Sequence, residues 1–164
     1  MSIAELGALG DIVASFGVIA TLIYLALQMR QNTKALRQST SHAVTGDLRS
    51  MFSLLASDQG LAEILVDAGH KAQLGGPTRV RYWTFTSNLL RIYENAYLLK
   101  RENAISEAHW SGMTQLMIDY KSMAAFPGYW EDRKHWLSAE FRAYMDTEIL
   151  PTPPRPGVTI PGSV

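Results

Sequence analysis

Eighteen consecutive residues, "IVASFGVIATLIYLALQM" from Ile12 to Met29, carry no charge, and polar side chains crowd in directly after them. As a helix rising 1.5 Å per residue this run is about 27 Å long, close to the thickness of a bilayer core. Nine of its residues are Leu, Ile, Val or Phe, which together favour lipid by about 3–5 kcal/mol. The pattern predicts a transmembrane helix over residues 1–29, with Ser2 and Glu5 at capping-box spacing. The periodicity does not end at Met29. Leu36, Thr40, Val44, Leu48, Met51, Phe52 and Leu55 recur every three to four positions, and no proline intervenes before "SDQG" at 57–60. One helix is therefore expected from about residue 3 to 56, leaving the bilayer as a stalk, with Gly46 as a candidate joint.

Shorter helical periods follow. Leu61, Ile64, Leu65 and Ala68 form one stripe, ended by "GGP" at 75–77. Thr78 is then expected to cap a long helix whose inner face is Tyr82, Phe85, Leu89, Ile92, Tyr93, Ala96 and Leu99. Ser106 opens another, with Trp110, Met113, Met117, Tyr120 and Ala124 inward, broken by "FPG" at 126–128. A last stretch, jointed at Ser138, turns Trp130, Leu137, Phe141, Tyr144 and Met145 inward. No segment alternates at period two, so the expected class is all-α: a transmembrane helix running into a stalk, packed with a small antiparallel bundle. The expected divisions are 1–29, 30–149 and a proline-rich tail, 150–164. That tail holds five of the seven prolines and is read as loose.

Charge adds direction to this anatomy. Lys+Arg and Asp+Glu both number 15, which leaves no basic field for a nucleic-acid partner. Charged residues are 18% of the chain against 47% hydrophobic, lean for a protein wholly in water. Arg30, Lys34 and Arg37 follow the apolar run and nothing basic precedes it beyond the N-terminus. The positive-inside rule then places residues 30–164 in the cytoplasm and the N-terminus outside. Two blander readings compete. A cleaved secretory signal lacks its basic n-region and small-residue cleavage site, and a buried core helix of a soluble bundle would suit the short run.

Candidate chemistry is thin. Without cysteine there is no disulfide framework, thiolate zinc site or cysteine nucleophile. His42, His70, His109 and His135 are scattered one to a helix, and "DRKH" puts Asp132 and His135 at i, i+3, one pair where a di-iron bundle needs two. No cofactor or metal is expected. Glu94, beside Tyr93 and Tyr97, needs a partner such as Arg91 or Arg101, and an ion pair is the reading preferred over a general base. Trp110, Trp130 and Trp136 are read as packing anchors.

The first helix also carries a seam of small residues, Gly7, Gly10, Ala14, Gly17 and Thr21, opposite the bulky Leu9, Val13, Phe16 and Ile23. Such seams let transmembrane backbones approach closely. Beyond the bilayer the register continues through Tyr24, Gln28, Gln31, Ala35, Gln38, His42 and Thr45. The expectation is a non-enzymatic interaction or accessory protein, a homo-oligomer or a subunit of a membrane complex. The alternatives are a channel-like homo-oligomer and a membrane-surface enzyme with its pocket near Glu94.

The stretch "LIYLALQMRQNTKALR", with a later Tyr/Glu-rich helix and a closing "LSAEFRAYMD", resembles a widespread group of uncharacterised bacterial proteins. The resemblance covers nearly the whole chain. It implies the same topology in the bacterial inner membrane and carries no activity.

Overall fold

The computed structural model describes residues 3–156, with side chains from residue 15 onward except 36–38. The described elements are helical. Helix α1 spans Ile3–Ser57 without a break, as the unbroken periodicity predicts, and Gly46 lies inside it. The chain divides into two compact units, 1–39 and 40–164. The expected boundary at 29/30 marks the end of the uncharged run in the sequence, whereas the observed one lies ten residues further on, near where side-chain packing begins.

In the second unit, Val44 is the buried residue of α1, with Leu48, Met51 and Leu55 packed against the same core. A single residue, Asp58, separates α1 from α2 (Gln59–His70), so "SDQG" is a much tighter break than a four-residue turn. Asp58 does two jobs there. Its Oδ1 accepts from the Leu61 amide at 3.0 Å and caps α2, while its Oδ2 pairs with Arg81 of the next helix at 2.5 Å. Leu61, Ile64, Leu65 and Ala68 are all buried, the stripe expected of them.

Helix α3 (Gly76–Arg101) packs against α2 and α4 (Glu107–Tyr120). Its start differs from the sequence reading. Gly75 is the cap and makes no side-chain bond, Gly76 takes a positive φ of 50°, and Pro77 sits in the first turn. The entry is therefore set by glycine's left-handed freedom and the fixed φ of proline, and Thr78 lies already inside the helix. Asn103, also left-handed at φ 54°, turns the chain out of α3. Ser106 caps α4 through the His109 amide, as its position implies.

Helix α4 already ends at Tyr120, so Ala124 lies outside it and "FPG" does not break it; "FPG" instead opens α5, Phe126–Arg133, again with proline in the first turn. The Ala125 amide donates to the Ala68 carbonyl at 3.0 Å, tying this entry to α2. A 3₁₀ turn, Lys134–Trp136, leads to Ser138, which caps α6 (Ala139–Tyr144), and a π-helical turn, Met145–Ile149, closes the bundle. Trp130, Tyr82, Tyr93, Phe126 and Phe141 are the largest buried side chains. Trp110, by contrast, is half-buried, and Trp136 is 49% exposed. Among these three tryptophans only Trp130 is a core residue outright.

Part of the proline-rich segment is anchored. Lys121 donates from Nζ to the Leu150 carbonyl at 2.7 Å, and the Thr152 hydroxyl bonds back to the Glu148 carbonyl. The rest, from residue 157, lies outside the described residues.

Candidate interaction surface on the first helix

Between Phe16 and Met29, nine large apolar side chains of α1 stand 47–71% exposed. Leu22, Ile23, Tyr24 and Leu25 are four consecutive exposed positions, and at about 100° per residue they point to every side of the helix. An amphipathic surface helix would bury one stripe and wet the other. Here no stripe is buried. Among the described side chains, residues 15–35 are exposed without exception.

Three polar side chains on this stretch bond along the helix itself. Thr21 donates from Oγ1 to the Gly17 carbonyl at 2.8 Å, Thr33 to the Met29 carbonyl at 2.9 Å, and Gln28 from Nε2 to the Tyr24 hydroxyl at 3.1 Å. Such back-bonding is how hydroxyls and amides avoid an unmet bond where water is absent. On the seam, a Cβ built on Gly17 would meet nothing within 4 Å. Gly7, Gly10, Ala14 and Arg37 lie in α1 at positions whose side-chain surroundings are not described, as does Glu5, and Ser2 lies outside the described residues. Arg30 and Lys34 are exposed. Among the described residues, no helix is long and apolar enough to cross a membrane. The uncharged run Ile12–Met29 enters with three residues whose side chains are not among them.

Glu94, the other candidate, is held on both oxygens. Its Oε2 accepts from Arg91 at 2.7 Å and its Oε1 from the Ser138 amide, also at 2.7 Å. Arg91 reaches on to the Trp136 carbonyl at 2.6 Å. Of the two expected cations Arg91 is the partner, and Arg101 pairs with Glu140 instead. Burial pushes the Glu94 carboxyl up, but the Ser138 amide and hydroxyl and the Arg91 guanidinium outweigh it and hold it below the usual carboxylate range. A carboxylate so engaged and so acidic makes a poor general base near neutral pH. Its geometry is that of a strut between α3 and the cap of α6.

This strut has a pH signature. A carboxyl more acidic folded than unfolded contributes stability above its ordinary range and loses it as pH falls through the depressed value. Glu94→Gln is expected to cost about 1 kcal/mol at neutral pH and to converge with the parent protein in acid. Urea unfolding at several pH values checks this; a gap that persists unchanged in acid would contradict it.

Neighbouring Tyr93 is buried, and desolvation raises its phenol well above the usual range; its hydroxyl meets those of Tyr144 at 3.0 Å and Thr114 at 3.3 Å. Tyr93 stacks on Trp110, and Tyr97 on Tyr144, so the rings seen in the sequence pack against one another beside Glu94. Asp132 and His135 do not share a helix, because α5 ends at Arg133. No group of three or more His, Asp or Glu gathers among the described residues. Sequence reasoning missed a cation–aromatic cluster in which Arg133 lies 4.3 Å from the Trp83 ring centre and 4.7 Å from that of Trp136, with Arg79 5.1 Å from Trp83. Only the i, i+4 spacing of Arg79 and Trp83 was available to signal it.

Compared with known protein families, curated proteins and solved structures, the chain matches none.

Proposed function

We propose that the chain is a non-enzymatic, membrane-anchored interaction protein, held in the bacterial inner membrane by residues 12–29 with its N-terminus outside and residues 30–164 in the cytoplasm. The observation that carries this reading is the exposure of α1 from Phe16 to Met29 on all sides. A helix apolar all round needs a medium or partners that cover its whole circumference, and lipid does so without a matching surface. The run of eighteen uncharged residues and the basic residues after it supply the length and the orientation.

Within the bilayer, the seam of Gly7, Gly10, Ala14, Gly17 and Thr21 is the face on which a second helix packs, a copy of this one or a subunit of a larger complex. Open space over Gly17 makes the test clean. Gly17→Leu adds bulk where the single chain has room, so folding and insertion are expected to be unchanged while association weakens by about 1 kcal/mol or more. Förster transfer between labelled copies in nanodiscs, together with co-purification from native membranes, reads this out. Equal association of the variant and the parent would remove the seam from the proposal.

A further inference from the structure

A cavity of about 300 Å³ lies where the start of α3 meets α5 and the segment after α2, lined by Gln73, Arg79, Tyr82, Trp83, Tyr129 and Asp132 among others. That volume is at the small end of ligand sites. Its charges are one cation and one anion, Arg79 and Asp132, and neither belongs to an ion pair among the described residues. They line the same cavity without neutralising each other. Trp83, on the wall between, is fixed from two directions: its ring meets Tyr129 edge-on at 6.4 Å and lies under the Arg133 guanidinium. Tyr129 is in turn held by Ser87, hydroxyl to hydroxyl at 2.8 Å. The aromatic wall is thus built in advance of any ligand, which lowers the entropy cost of binding.

We propose that this cavity binds a small zwitterion, an anionic group and a primary ammonium a few bonds apart, with Arg79 taking the anion and Asp132 the ammonium. A simple anion would gain Arg79 but meet the Asp132 carboxylate, and a simple cation would gain Asp132 but meet Arg79. A molecule carrying both charges satisfies both side chains, and its short carbon linker lies against Trp83 and Tyr129. Free amino acids and phosphoethanolamine share this chemistry with the headgroup of phosphatidylethanolamine.

The experiment is a titration of the purified full-length protein in detergent, read by tryptophan emission, with O-phosphoethanolamine and L-serine as probes. Inorganic phosphate and ethylammonium are the half-charge controls, and Trp83→Phe shows whether the signal comes from the cavity. Saturable binding of a zwitterion is expected, weakened at least about tenfold by Arg79→Gln and by Asp132→Asn. Both side chains are exposed, so neither change threatens the fold. Repetition in nanodiscs separates the sources. Binding blocked by phosphatidylethanolamine but not by phosphatidylcholine assigns the lipid headgroup, and binding in both assigns a soluble molecule. Absence of a response to either zwitterion, equal response to the half-charge controls, or unchanged binding in both variants would overturn the proposal.

Discussion

Trp130→Ala is expected to destabilise the 40–164 unit by about 3–5 kcal/mol, a large fraction of what a domain of this size has to lose. Trp130 is 2% exposed, stacks on Phe126 with ring centres 6.2 Å apart, and donates from its indole nitrogen to Asp146 Oδ1 at 2.9 Å. Truncation therefore leaves a cavity, removes one of the three rings packed on Phe126 and breaks the bond that ties α5 to the closing π-helical turn. Trp110→Ala should cost clearly less, because Trp110 is only half-buried although it sits on the same kind of helical stripe. Denaturant unfolding followed by far-UV circular dichroism ranks the two. A loss below about 1 kcal/mol at Trp130, or the reverse order, would mean that the core is not centred where the packing places it.

The second large effect is expected at Ile19, where arginine should oppose membrane insertion by about 3–4 kcal/mol: the favourable transfer of isoleucine is lost and the cost of a charge near the helix centre is added. Ile19 is 53% exposed, so the same substitution in a helix bathed by water would be neutral or would improve solubility. The sign of the change separates the two environments. A shift of Ile19→Arg from the membrane fraction towards the soluble or degraded fraction is the expected result.

Much of the bundle was legible in the sequence because periodicity and caps are local signals. The stripe Leu61, Ile64, Leu65, Ala68, the helix opening at Ser106 and the break at Ser138 are written in neighbouring residues; the structure places the first two as read and makes the joint at Ser138 a cap. Misreadings arose where one residue type serves two ends of a helix. Pro127 and Pro77 looked like breakers, yet the helices before them end earlier, at Tyr120 and His70, and each proline sits in the first turn of the helix that follows. Tryptophan burial was not legible either. Trp110, Trp130 and Trp136 all sit in helical pattern, and only the three-dimensional placement of α5 separates the buried from the exposed. The choice of Arg91 over Arg101 for Glu94 is local, at i, i+3, but the Ser138 amide that completes the site is 44 residues away and left no trace in the spacing. For the same reason the meeting of Arg79, Trp83 and Asp132 around one cavity was out of reach.

Extraction of membranes containing the full-length protein with alkaline carbonate tests most directly whether residues 12–29 are lodged in lipid. The prediction is that the protein stays in the pellet, while removal of residues 1–29 sends the remainder to the supernatant. Recovery of the intact chain in the supernatant as a water-soluble monomer would contradict it.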